Sequence, residues 1–408
     1  MMAEWKECTI ADLGMVVGGA TPSTKDPANY DGGWIPWITP KDLSDYPDRY
    51  ILRGERNITE KGLNGCSTQL MPKHSVLFTS RAPIGYVAIA DNVVCTNQGF
   101  KSVVPNDNTD YLFLYYLLKF NKEKIEGLGS GTTFKEVSGS TMRGVTVRVP
   151  RSINVQRAIG SYLDSIDSKI EINRKLNENL EQQALALFCH YFMDYEPYGG
   201  SAPADWTEVS LDDVCTRITD GSHYSPADAP DAPYPMYSVK DMETYGFNSS
   251  SCKHITAEEF LKMQKNDCVP RLNDILVAKD GSYLKEIFIC SEEKDEAILS
   301  SIAIFRPNTE IIMPEILLYL LKQPSIRKDV GDNYVSGSAL PRIVLKDFKK
   351  YTFLLPPMAE QLKIGSVLHA IRMQTKANID EIHSLSTIRD TLLPRLMSGE
   401  LDVSDINL

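Results

Sequence analysis

Almost none of the residue groupings that metal, redox or phosphate chemistry requires are found in this sequence. Its eight cysteines, at positions 8, 66, 95, 189, 215, 252, 268 and 290, form no CxxC pair, and its six histidines form no HExxH. Scattered single thiols are expected to be inert. Cys252-Lys253-His254 groups a Cys with a His, but two ligands do not close a zinc site, and no metal is expected. There is no Walker sequence; Gly129-Ser130-Gly131-Thr132-Thr133-Phe134 begins like a GxGxxG loop but has Phe at the third glycine. Pro356-Pro357 follows Leu355 and so lacks the polar acceptor that an amino-methyltransferase loop of the Asn-Pro-Pro-aromatic type holds against its target. Pro47-Asp48 is followed at Glu55 by Arg56-Asn57, which breaks the carboxylate-lysine pattern of a PD-(D/E)xK nuclease. Catalysis by this chain is therefore not expected.

Long apolar runs are also missing. The longest, Tyr111 to Leu118, falls far short of the roughly 20 residues of a membrane span. The opening Met1-Met2-Ala3-Glu4-Trp5-Lys6-Glu7 has neither the basic start nor the apolar centre of a secretory signal, so the chain is expected to be soluble and cytoplasmic, without membrane contact. Positive charge is scarce too: the net charge is -11. That figure argues against a nucleic-acid partner at face value, but it is uneven along the chain. Residues 1 to 150 carry 16 basic and 16 acidic side chains, whereas residues 201 to 355 carry 17 and 24. Any DNA contact must come from locally clustered Lys and Arg or from a more basic partner.

What the sequence does contain is one plan written twice. Gln156-Arg157-Ala158-Ile159-Gly160-Ser161-Tyr162-Leu163 aligns without a gap on Gln361-Leu362-Lys363-Ile364-Gly365-Ser366-Val367-Leu368, and the register holds through Ile166/Ile371, Asn173/Asn378, Leu180/Leu385 and Leu187/Leu392. Upstream, Trp5 to Leu13 resembles Trp206 to Val214, Pro40-Lys41-Asp42-Leu43 resembles Val239-Lys240-Asp241-Met242, and Gly129 to Phe134 meets Val335 to Leu340. Two copies of this length indicate a duplicated, pseudo-two-fold molecule rather than a solenoid. In the first copy, apolar residues at 159, 163, 166, 170, 180, 184 and 187 make a heptad seam over a helix from Ile153 to about Phe192. The seam of the second copy runs through Ile364, Leu368, Ile371, Thr375, Asn378, Ile382, Leu385, Arg389, Leu392 and Leu396.

One such helix cannot bury its stripe alone, so the two are expected to pair as an antiparallel coiled coil. Asn173 and Asn378 hold the same seam position; they either set the register or are simply tolerated there. Each block before a helix reads as mixed α/β with many turns. Its clearest elements are helices at Tyr111–Phe120 and Pro314–Lys322 and strands at Val76–Thr79 and Ile275–Ala278. The expected boundaries are a first block at 1–150, a helix at 151–195, a linker at 196–204, a second block at 205–355 and a C-terminal helix at 356–408.

Candidate binding residues lie on glycine-permitted turns. In the first block these are Thr21, Ser23, Lys41, Ser80, Arg81, Asn97, Gln98, Thr132 and Thr133. In the second they are Ser222, His223, Tyr224, Lys240, Lys279, Ser282, Ser336 and Ser338. Arg can bridge a guanine edge, Asn or Gln an adenine edge, and Ser, Thr and backbone groups can hold phosphates. Each turn taken alone is equally an ordinary surface turn.

The run Trp-Lys-x(5)-Asp-Leu, then GGATPS, IPWITPKDL, TSRAPIG and TNQGF, then a helix entered at Pro-x(5)-Gln-x-x-Ile, resembles the specificity subunit of type I restriction-modification enzymes. The C-terminal Leu392-Leu393-Pro394-Arg395-Leu396-Met397-Ser398-Gly399-Glu400-Leu401 is similar to that family as well. The resemblance implies two target-recognition domains, each reading half of a bipartite double-stranded DNA site. It also implies two helices that dock two methyltransferase subunits and restriction/translocase subunits, with S-adenosylmethionine, Mg2+ and ATP bound by those partners and not by this chain. In the second block Asp220-Gly221-Ser222-His223-Tyr224 replaces GGATPS and Lys279-Asp280-Gly281-Ser282 replaces TSRAPIG. The rival reading is a non-catalytic coiled-coil scaffold with ligand-binding lobes. Co-purification with a methyltransferase-sized partner would separate the two.

Overall fold

The computed structural model describes residues 4–81, 83–131, 135–337 and 339–403. The chain divides into two compact units, one of residues 1–175 with 379–408 and one of residues 176–378. Each long helix therefore begins in one unit and ends in the other. Among the described residues no helix is long and apolar enough to cross a membrane, and no group of three or more His, Cys, Asp or Glu is arranged to hold a metal ion.

The first unit holds a five-stranded sheet in the order Gly14–Gly18, Lys101–Pro105, Val76–Ser80, Ile84–Ala90, Tyr50–Ile51, antiparallel except for the last pair. A three-stranded sheet follows the order Arg56–Ile58, Ile35–Ile38, Cys95–Thr96, its second pair parallel. Trp5–Thr9 pairs antiparallel with Thr146–Pro150. The second unit repeats the scheme with one strand fewer in the larger sheet. Its four-stranded sheet runs Cys215–Asp220, Ile302–Pro307, Ile275–Ala278, Ile287–Ile289; its three-stranded sheet runs Lys253–Ile255, Tyr234–Tyr237, Ala297–Ile298, again with a parallel second pair; and Thr207–Ser210 pairs with Thr352–Leu355. The helices expected at Tyr111–Phe120 and Pro314–Lys322 are present as Tyr111–Phe120 and Pro314–Leu321.

The repeated motifs prove to be structural joints. Thr9 and Ser210 each donate backbone N–H and side-chain hydroxyl to an aspartate three residues on, Asp12 at 2.7 and 2.8 Å and Asp213 at 2.8 and 2.6 Å. These bonds hold both carboxyls below their usual range. The Lys-Asp repeat is the same device: Thr39 caps through Asp42 and Ser238 through Asp241, leaving Lys41 and Lys240 on the exposed side of matching turns.

The joint between block and long helix is a buried glutamine. Gln156, 2% exposed, accepts from the Asp110 backbone N–H at 3.1 Å and donates to the Pro150 carbonyl at 3.1 Å. Gln361, 1% exposed, accepts from Met313 N–H at 3.0 Å and donates to the carbonyls of Pro356 at 3.0 Å and Ile311 at 2.9 Å. One turn on, Gly160 and Gly365 let the short helix of the block close in: a Cβ on Gly160 would lie 2.8 Å from the Phe113 nitrogen, and one on Gly365 would lie 2.4 Å from the Met313 sulfur. The spacing Gln-x-x-Ile-Gly is thus dictated by a backbone anchor and a close helix contact.

The long helices span Ile153–Phe192 and Met358–Ser398, each about 60 Å at 1.5 Å per residue. In the first unit they run antiparallel: Arg389 donates to Asp167 at 2.8 Å and Asn173 to Glu381 at 2.8 Å, while Ile159 and Leu163 share a core with Leu392 and Leu396. In the second unit Asn378 donates to Asn177 at 2.7 Å, and Ile364, Leu368 and Ile371 share a core with Ala184. Asn173 and Asn378 therefore do not meet the same partner: one faces a glutamate and the other an asparagine. Ile166 is buried; Leu180, Leu385 and Leu392 are half-buried. Leu187 packs against the core of the second unit. It is also half-buried, and Phe188 takes the buried position, packing with Phe192 against Trp206 in the core of the second unit. The C-terminal helix ends where Gly399 takes a left-handed φ of 78° beneath the Trp5 ring, with Leu396 and Met397 in the core of the first unit.

Candidate nucleic-acid interface

In the first unit two loops are seated on each other by Gly19. A Cβ there would lie 2.1 and 2.2 Å from the carbonyl oxygens of Thr96 and Asn97, and Ala20 N–H bonds to Thr96 O at 3.0 Å. This close approach brings together Thr21 and Gln98, which are exposed and joined by a hydrogen bond from the threonine hydroxyl to the amide oxygen. Asn97 is half-buried and its side-chain oxygen accepts from Gly99 N–H at 2.8 Å, so its acceptor is already engaged in the turn. Ser23 is exposed, with its carbonyl held by Asn29 at 2.9 Å. Lys41 is exposed and pairs with Glu55 at 2.9 Å, a solvent-screened surface contact.

Arg81 is half-buried and lies 3.6 Å from Glu136, which is also 3.5 Å from the Lys101 ammonium. Ser80 does not present its side chain. It ends a strand buried at all five positions, and its hydroxyl donates to Gly99 O at 3.2 Å. Thr132 and Thr133 lie outside the described residues.

The second unit builds the equivalent loop pair with different chemistry. A Cβ on Gly221 would lie 2.4 and 2.6 Å from the carbonyl oxygens of Ile298 and Leu299, and Ser222 N–H bonds to Ile298 O at 2.8 Å. Asp220-Gly221-Ser222-His223-Tyr224 thus occupies the place of the GGATPS loop. Ser222 is buried, its hydroxyl donating to Tyr224 O and accepting from Tyr224 N–H, while His223 and Tyr224 are exposed. His223 reaches Asp220 at 3.3 Å, and Lys279 is bound to the same carboxylate oxygen at 2.7 Å.

Lys279 is a correction: only 4% exposed, it is a buried ion-pair partner rather than a loop-tip cation. A lone buried ammonium is costly, and Asp220 offsets that cost. Lys240 and Ser282 are exposed and on separate turns. Ser336 is exposed on the short strand Val335–Ser336, paired with Arg342–Ile343; Ser338 lies outside the described residues.

A cleft in this unit joins Ser222, His223 and Tyr224 to Asn266, Lys346 and Lys349. The two lysines are not among the residues the sequence puts forward. Lys346 and Lys349 lie on the short helix Leu345–Phe348 and at its end, next to the closing strand of the block, where no glycine-rich turn marks them. In the first unit Arg49 fixes the block to the long helix by bonding Glu171 through Nε at 2.8 Å and Ser168 through Nη2 at 2.9 Å, with Asp164 close to its Nη1. Although burial disfavours its charge, these partners outweigh it and its pKa is raised.

Residues 2–182 and 203–384 each match the family described as type I restriction modification DNA specificity domain. The chain is 34% identical to the type I restriction enzyme MjaIX specificity subunit of Methanocaldococcus jannaschii, over 99% of this chain and 95% of the relative. It is 23% identical to the HindI specificity subunit of Haemophilus influenzae, over 98% of this chain and all of the relative. The crystal structure of a type I restriction-modification system S subunit from M. genitalium superposes with a TM-score of 0.59 at 19% identity, covering 97% of this chain and 96% of that one. With the family matched twice along its length and a relative at 34% identity spanning nearly all of it, this chain belongs to the family of type I restriction-modification DNA specificity subunits.

Proposed function

We propose that the chain reads a bipartite site in double-stranded DNA, one half per block, and directs methylation and restriction there by partner subunits. Two methyltransferase subunits and restriction/translocase subunits supply the catalysis, with S-adenosylmethionine, Mg2+ and ATP bound in those chains; the complex acts in the cytoplasm. The observation that carries this reading is the repeated loop pair. Gly19 and Gly221 seat the same two loops in the same frame, yet the exposed side chains beyond them are Thr21 and Gln98 in one block and His223 and Tyr224 in the other. A conserved frame with unlike polar groups is what reading two unlike base sequences requires.

The recognition blocks are residues 1–150 and 205–355, joined to the helices at 151–195 and 356–408 through the linker 196–204. Thr21, Ser23, Arg81, Asn97, Gln98, Thr132 and Thr133 serve the first half-site, and His223, Tyr224, Ser282, Ser336 and Ser338 the second; Lys41 and Lys240 contact phosphate. Exchanging residues 206–355 for the matching block of a relative tests this. Methylome sequencing should show one half of the methylated motif changed and the other intact; a change in both halves refutes the division.

A further inference from the structure

The two blocks carry the same salt bridge with its polarity reversed. In the first unit the Ser80 carbonyl accepts from Val137 N–H at 2.9 Å, so that Arg81 stands opposite Glu136 in an isolated antiparallel bridge, with the guanidinium 3.6 Å from the carboxylate. In the second the Lys279 carbonyl accepts from Ile343 N–H at 3.1 Å, and Asp280 stands opposite Arg342, 3.1 Å apart. The position opposite is fixed again by a second pairing, since Ser130 bridges Glu136 and Ser336 pairs with Arg342. Position for position, Arg81 corresponds to Asp280 and Glu136 to Arg342. A guanidinium is thus presented at the same edge of both blocks, but from opposite strands.

Resting on the specificity reading above, we propose that Arg342 is the base-reading arginine of the second block, the functional counterpart of Arg81 in the first. Three features support it over its neighbours. The Arg342 side chain is 54% exposed, against 5% for Lys279, whose ammonium is tied to Asp220. A guanidinium can grip a guanine edge with two parallel bonds, which an ammonium cannot. And the pair with Asp280 is a charge contact without a hydrogen bond: that buried carboxylate oxygen has no aligned donor. The guanidinium fork is therefore not saturated by its carboxylate and keeps donors for a ligand, while Asp280 holds the arginine at the edge.

The test uses the full chain in its host together with its methyltransferase subunit, reading the methylated motif and the affinity for specific against random duplex. Arg342→Lys keeps the charge and the pair with Asp280 and removes the planar fork. It should relax one base pair of the half-site read by residues 205–355 and lower the specific-to-random affinity ratio about 5- to 150-fold, leaving the other half intact. Arg81→Lys should do the same to the other half-site. Arg342→Ala with Asp280→Ala removes both charges together, so it leaves no uncompensated buried carboxylate, and should give the same motif change. An unaltered motif with Arg342→Lys, or equal weakening on specific and random DNA, overturns the assignment while the wild-type two-part motif keeps the specificity reading intact. A wild-type chain that directs no two-part methylation overturns the reading and the assignment together.

Discussion

Replacing Gln156 by alanine isolates the joint on which the first block depends. The side chain is almost fully buried and makes two well-formed bonds to main chain, from Asp110 N–H and to Pro150 O, plus a longer one to Asn108 O at 3.4 Å. Its loss strands a buried donor and a buried acceptor at about 1–3 kcal/mol each, so the cost is about 2–6 kcal/mol, a large share of a folding free energy of about 5–15 kcal/mol. The effect should be local, because Asp110 also caps the helix Tyr111–Phe120 through Phe113 N–H at 2.9 Å. Hydrogen exchange should accelerate in that helix and stay unchanged in Pro314–Leu321; Gln361→Ala should give the mirror result. The exposed neighbour Arg157→Ala sets the baseline, within about 0.5 kcal/mol. If Gln156→Ala exchanges no faster than Arg157→Ala, or if both short helices respond alike, the anchor argument fails.

Gly160→Ala should destabilise more than Gly365→Ala in thermal unfolding, because the first meets backbone at Phe113 and the second meets the flexible end of Met313; overpacking costs about 1–3 kcal/mol, of which helix propensity returns about 1. Removing one partner of the buried Asn177–Asn378 pair should cost about 1–3 kcal/mol, whereas replacing both with leucine should be close to neutral in stability; a double substitution as costly as the sum of the singles would refute pairwise coupling. Burial pushes the Cys95 and Cys215 thiols up to about 12, so both should resist alkylation at pH 8 in the native chain and react once it is unfolded. Unfolded thiols ionise near 9, so this contribution to stability is complete below that pH and is lost as pH rises from 9 towards 12; a flat alkaline limb in urea titrations would contradict it.

The helices were legible because forty residues of apolar periodicity leave one reading, and the repeat of Gln156 and Gln361 could be seen without knowing what the glutamines bind. Near Leu187 the seam widens, because a strict seven-residue count drifts from a helix of 3.6 residues per turn: Leu187 packs half-buried against the core and Phe188 reaches deepest into it. Ser80 and Lys279 read as loop tips because each stands beside a glycine- or proline-containing turn. What buries them lies far off in sequence, Gly99 in one case and Asp220 in the other. Arg342 was invisible for a different reason: its counterpart in the first block is an acid, so no alignment of the copies could nominate it.

The bonds made by Gln156 and Gln361 reach only main-chain atoms of the block they hold. Peptide groups are the same whatever residues carry them. At these two joints the block's side chains can differ without a matching change in the glutamine, whereas the side-chain bonds of Arg49 to Glu171 and Ser168 tie the first block to particular helix residues. The glutamine fastening is indifferent to the side chains of what it fastens: it asks only for a proline carbonyl at the end of the closing strand and a peptide N–H at the start of a short helix.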